Sequence, residues 1–166
     1  MTMEVGRTAD GDLSFTDIPG ALTYSLMELP SLLADDAPGL KDRFARSPYG
    51  SDDDRSEEWR RNAAPELWRL FANAREIVIE DLRTLRPSPG EVEGHDLTIP
   101  AESHAAWLSA LAAARVTLGE LHEVGPDDLS GPLPVPVRSE RDRGIILIQM
   151  LGWLQAILIE DGASDA

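Results

Sequence analysis

The stretch Gly144-Ile145-Ile146-Leu147-Ile148-Gln149-Met150-Leu151-Gly152-Trp153-Leu154-Gln155-Ala156-Ile157-Leu158-Ile159 decides the fold. Wound at helical pitch, its apolar side chains cover every side rather than one stripe, and such a helix must be enclosed by other helices or by lipid. From Ile145 to Ile159 the run is only about fifteen residues with two glutamines, whereas a bilayer span takes roughly 20 apolar residues. The run is therefore expected to be the central helix of a soluble helical domain, capped by Ser139 and followed beyond Glu160 by a polar, frayed tail (160–166).

Working outward, the next long helix upstream opens at Pro100. It buries Trp107, Leu108, Leu111, Ala114, Leu118 and Leu121, with Gly119 marking a close helix crossing. Before it, an amphipathic helix from Pro65 carries the stripe Leu67, Leu70, Phe71, Ala74, Ile77, Val78, Leu82 and Leu85, and Arg86-Pro87-Ser88-Pro89-Gly90 stops it. A polar loop follows, with Leu97 and Ile99 dipping toward the core. Leu22, Leu26, Leu29 and Leu33 repeat at helical spacing between Ile18 and Ala34, where Pro30 predicts a kink or a restart. A short helical turn fits Gly39 to Ala45. Ser51 with Asp54 matches a capping box, and the aspartates 52–54 suit the positive end of the helix that follows. Met3-Glu4-Val5 and Leu13-Ser14-Phe15 flank Asp10-Gly11, the pattern of a small hairpin within residues 1–17. Val124 to Val137 is a stiff P-x-P-x-P connector (Pro132, Pro134, Pro136). The expectation is one mainly α, bundle-like domain over 1–166, with four to six helices around the C-terminal apolar helix and an N-terminal β-hairpin.

Composition narrows the function classes. At 166 residues the chain can bury a core without staples, and with no cysteine it has neither disulfides nor a thiol nucleophile. The net charge of −15 opposes nucleic-acid phosphates and anionic membranes; its plainest reading is solubility, and the sharper alternative is a protein partner with a basic surface. The first thirty residues lack the basic start and apolar core of a secretory signal, so the expected location is cytoplasmic.

The search for chemistry is mostly a series of exclusions. His122-Glu123 begins like a zincin motif, but Val124-Gly125-Pro126 stands where the second histidine should be. The pairs Glu93/His95, Glu102/His104 and Glu120/His122 are spaced by two, which on a helix sends side chains to different faces, so no metal and no cofactor is expected. The aspartate run lacks the glycine and closing glutamate of a calcium loop. No nucleophile elbow, phosphate loop or dinucleotide fingerprint is present. One constellation stands out. Asp81 falls inside the apolar stripe of its helix, and Arg115, with His104 and His122, lies on or beside the buried side of the next. Unpaired buried charges are costly, so Asp81 and Arg115 are expected to meet each other or another partner. They would then be a register-fixing ion pair or a pocket for an anionic or polar ligand, unless both reach water. Of the four tryptophans, Trp59, Trp107 and Trp153 are expected in the core, and Trp68, at the margin of its stripe, is the candidate contact residue.

Leu29-Pro30-x-x-Leu33, Ala106-Trp107-Leu108-x-x-Leu111, Arg115-Val116-x-Leu118-Gly119 and Leu151-Gly152-Trp153-Leu154-Gln155 occur in that order. Together they resemble a small all-helical actinobacterial family catalogued only as domain of unknown function two thousand and seventeen. The resemblance implies a helical protein without assigned activity or catalytic residues. Members are often encoded beside the Clp protease adaptor and a JAB-type metallopeptidase, which implies a link to regulated proteolysis. The residues thus lead to a non-enzymatic interaction or adaptor protein. The alternative is a small-molecule or anion-binding domain, enzymatic or not, using Arg115 and Asp81. A concave pocket facing Arg115 would separate the second from a closed ion pair; the oligomeric state stays open.

Overall fold

Asp10-Gly11 turns the chain where the sequence places a hairpin, with Gly11 at φ +87°. The computed structural model describes residues 3–89 and 94–163. Strands β1 (Glu4–Arg7) and β2 (Leu13–Ile18) pair antiparallel across this turn, Val5 opposite Phe15. The hairpin does not stand alone. The segment read as a loop forms β4 (His95–Ile99), which pairs with β2 and carries the two-residue β3 (Arg86–Pro87) on its other side, giving the order β1-β2-β4-β3. Leu97 and Ile99 point into the core beside Leu13, Phe15 and Ile18, so the inward dip read from the sequence is real but belongs to a strand. Gly90 and Glu93 lie outside the described residues.

Six α-helices complete the fold among the described residues and pack mainly on one another. Helix α1 (Gly20–Leu32) buries Leu22, Leu26 and Leu29 and continues through Pro30 without restarting. It ends only two residues later, so the proline costs a donor where the ladder is already closing. Helix α2 (Leu40–Ala45) starts from Gly39 at φ +71°. Helix α3 (Asp53–Asn62) is capped by Asp52 rather than Ser51: its carboxylate accepts the Arg55 amide at 3.1 Å, while Asp53 and Asp54 occupy the first turn. Helix α4 (Ala64–Asp81) corrects its expected stripe, because Leu67, Leu70 and Ile77 are exposed while Ala64, Phe71, Val78 and Asp81 are buried.

Helix α5 (His104–His122) follows a short 3-10 turn at Ala101–Ser103 and packs chiefly on α6 and α4. Its small residues Ala106, Ala110, Ala113 and Ala114 are buried with Trp107 and Leu118, whereas Leu121 is exposed. Helix α6 (Glu140–Ala163) begins where expected, the Ser139 hydroxyl accepting the Asp142 amide at 3.0 Å. Its 24 residues exceed the apolar run itself, and by length and composition alone it could cross a bilayer. Here it lies against α5 and α1 with Gly144, Ile145, Leu147, Ile148, Leu151, Leu154 and Leu158 buried. It is not enclosed on every side: Trp153 and Ile159 are exposed. Past Glu160 the helix holds its shape to Ala163, and Asp161 pairs with Arg7 of β1 at 3.0 Å.

Glycines set the α5–α6 contact, though not where the sequence reading put it. A Cβ on Gly119 would meet only the Val124 carbonyl at 3.5 Å, an ordinary contact. The close crossing is at Gly144, where a Cβ would stand 2.5 Å from the Cβ of His122.

Candidate functional site

An open groove of about 860 Å³ runs along α5 and α6, walled at one end by the segment Val124–Leu129 and bordered by α2. Arg115 stands in it. Its Nη1 donates to Gln155 Oε1 at 2.9 Å, and its guanidinium lies flat against Gly152, where a Cβ would be 3.2 Å from Cζ and 3.3 Å from Nε. Nε is buried and has no acceptor. Among the described residues no carboxylate pairs with this guanidinium. Glycine at 152 and an amide at 155, one helical turn apart on α6, thus hold a cation in place without neutralising it.

The rest of the lining divides by chemistry. Val116, Val124, Pro126, Leu129 and Ile148 give apolar walls, and Glu120 and Glu123 form an acidic end. Arg43 reaches over from α2, its Nη1 donating to the Ala112 carbonyl at 3.3 Å. A smaller recess of about 340 Å³ shares Arg43, Val116 and Glu120 and adds Asp42 and Arg46. The two recesses therefore carry three arginines against three carboxylates, whereas the whole chain has 15 basic and 30 acidic residues. The Pro126–Leu129 turn is pinned by Asp128, which accepts Arg141 Nη2 at 2.7 Å and the Gly125 amide at 2.8 Å. The Arg141 guanidinium, followed by the Gly125 amide, holds the Asp128 carboxyl below its ordinary value of 3.8.

Residues 6–161 match the family model described as "Domain of unknown function (DUF2017)". The chain belongs to the DUF2017 family. Neither a curated protein nor a solved structure matches it. Two of the four sequence stretches that carry the family resemblance, Arg115 to Gly119 and Leu151 to Gln155, meet where Arg115 contacts Gly152 and Gln155.

The other sequence-derived candidates lie elsewhere in the DUF2017 fold. Asp81 and Arg115 do not meet, and each has a different partner. Asp81 is buried and accepts the indole N–H of the fully buried Trp107 at 2.8 Å, so it belongs to the core and not to the groove. His122 packs on Gly144 as a spacer between helices. His104 faces Asp161, with Nε2 to Oδ2 at 3.7 Å, on the sheet side where Arg7 also binds that carboxylate. Trp68 is half-buried in an aromatic cluster, 5.6 Å from Phe44 and 5.5 Å from Phe71 between ring centroids, with Lys41 Nζ over its face. Trp153, expected in the core, is exposed. No cluster of histidine and carboxylate side chains among the described residues could hold a metal ion.

Gly152, behind Arg115, and the lining residues Gln155, Arg43 and Glu123 are the ones that sequence reasoning missed. One signal for the last was available. Glu123 follows α5 in the left-handed conformation, φ +52°, a position that favours glycine, while the last turn of the helix itself holds Gly119.

Proposed function

We propose that the chain is a non-catalytic binding protein that takes a carboxylate-bearing partner in the α5–α6 groove, with Arg115 as the anchor. One observation carries this reading: the Arg115 guanidinium is held by Gln155 and Gly152, has no carboxylate of its own, and lines an open groove. A planar, always-charged guanidinium that spends one Nη1 bond on a neutral amide and has no carboxylate partner among the described residues is suited to bind a carboxylate. The lining supports recognition rather than turnover. It offers cations, carboxylates, one amide and apolar walls, with no serine, threonine or histidine to act as nucleophile.

The charge of the whole chain supports a macromolecular partner with a basic surface, attracted by the acidic exterior and positioned by the groove. The test begins with sodium N-acetyl-leucinate titrated into nitrogen-15-labelled protein. The expected result is saturable shifts at the Arg115 Nε–H and at the amides of Gly119, Val124 and Gln155, lost in Arg115→Gln. Shifts that persist in Arg115→Gln, or that fall outside the groove, would overturn the reading.

A further inference from the structure

From the spacing of charge along the groove we infer its occupant: the free carboxyl end of a polypeptide, with a basic residue three or four positions before it. This rests on the reading of Arg115 as a carboxylate anchor. Arg115 lies on α5 and Glu123 is the left-handed residue that follows it, eight positions on and about 12 Å away at a rise of 1.5 Å per residue. An extended chain covers that distance in three to four residues at about 3.4 Å each. With the terminal carboxylate on Arg115, an upstream lysine or arginine reaches Glu120 and Glu123, and the last side chain lies among Val116, Leu129 and Ile148. The groove carries its cations, Arg115 and the Arg43 that bonds the Ala112 carbonyl, toward one end and Glu120 and Glu123 about a helical turn or two beyond, and it matches a ligand charged in the opposite order.

Two further features fit a chain end better than a compact anion. The groove is open along its length and continues into the recess beside Arg46, so it can admit a polymer. Glu120 and Glu123, in the same lining as Arg115, favour a single carboxylate over a dianion such as phosphate. Gly119 adds a third. It lines the groove between Arg115 and Glu123, and a Cβ there would meet nothing closer than 3.5 Å, so packing does not require the glycine. Its missing side chain leaves the helix backbone bare where an extended ligand would cross.

The test uses the full-length protein and acetylated five-residue peptides ending in leucine, followed by calorimetry at low and physiological salt. The peptide with a free carboxylate and arginine three positions before it should bind at least ten-fold more tightly than its C-terminal amide. Replacing that arginine by glutamate should weaken binding several-fold, and Glu123→Gln should erase most of this difference. Arg115→Gln should weaken the free-acid peptide at least ten-fold with unchanged circular dichroism, and Arg86→Ala, on the distant strand β3, should not. If N-acetyl-leucinate binds at Arg115 but the peptides gain nothing over it, or bind equally as acid and amide, the polypeptide occupant is wrong and the carboxylate anchor stands. If inorganic phosphate binds at Arg115 and N-acetyl-leucinate does not, both readings fail.

Discussion

The same substitution, glycine to alanine, should act in three different ways at three positions around the α5–α6 contact. At Gly119 the new methyl has room, its nearest neighbour being the Val124 carbonyl at 3.5 Å, so only the helix-propensity gain remains. Gly119→Ala is expected to stabilise the chain by about 0.5–1 kcal/mol. At Gly144 the same gain meets the His122 Cβ at 2.5 Å and Cγ at 2.6 Å, far inside contact distance and not relieved by rotating a side chain. The helices must separate, and overpacking of about 1–3 kcal/mol outweighs the propensity term, for a net loss of about 1–2 kcal/mol. At Gly152 the methyl meets only the end of Arg115, at 3.2 Å, which can swing away. Stability should change by less than about 1 kcal/mol, while carboxylate binding is lost with the guanidinium's position. Urea denaturation gives the three values, and for a chain of this size each kcal/mol moves Tm by about 2–4 °C. His122 supplies the control. In a double-mutant cycle His122→Gly should relieve Gly144→Ala, whereas His122→Ala, which keeps the offending Cβ, should not. A Gly144→Ala variant as stable as the parent, or a destabilised Gly119→Ala, would refute this account of how the two helices touch.

Three other outcomes follow from contacts in the core and at helix ends. Asp81→Leu leaves the buried Trp107 N–H without an acceptor, and a cycle with Trp107→Phe should return a coupling of about 1.5–3 kcal/mol by denaturant melts, whereas Arg115→Gln should be additive with Asp81→Leu. Asp52→Ala removes the α3 cap and should cost about 1 kcal/mol, with Ser51→Ala close to neutral, in the same assay. Because Arg141 and the Gly125 amide lower the Asp128 carboxyl in the folded chain, its contribution is present above the ordinary value of 3.8 and disappears as the pH falls through the lowered one. The Gly125 amide resonance should therefore move toward its Asp128→Asn position only in acid below about pH 4, and a transition near neutrality would show that another group pins the turn.

Much of the helical fold was legible because its signals are local. The leucines of α1 recur at helical spacing, Asp10-Gly11 sits between alternating strands, and Ser139 precedes a long apolar run; each is a statement about neighbours in sequence. Strand β4 was misread because its partner β2 lies some eighty residues earlier, Leu97 opposite Phe15. Its alternation of Leu97 and Ile99 with polar residues was visible, but a five-residue strand earns its stability from a neighbour that sequence distance conceals. The stripe of α4 failed for a related reason. Leu67, Leu70 and Ile77 are apolar, but which face is buried depends on where α2 and α5 dock, and they select Phe71, Val78 and Asp81. Likewise α6 is apolar all round, and its neighbours leave the face bearing Trp153 uncovered.

The site was legible in one residue and concealed in its arrangement. Arg115 drew attention as a charge beside a buried face, and the demand that Asp81 and Arg115 each have a partner was met, but in two separate places. A buried carboxylate can be satisfied by an indole donor and a guanidinium held by an amide, and residue type alone does not say which. The neighbourhood of Arg115 does break local rules in a way that sequence could have registered. Helix α5 places a glycine in its last turn and a glutamate at the left-handed residue after it, the reverse of what helix stability prefers at both positions. Both residues line the groove, and the packing around Gly119 does not require a glycine there. Local preference yielding at two positions on one surface, beside a cation without a carboxylate, is what a binding site retained against folding stability should look like. Gly119→Ala and Glu123→Gly should accordingly each raise Tm while weakening the free-acid peptide, and a variant carrying both that gained stability with binding intact would separate those preferences from the groove's function.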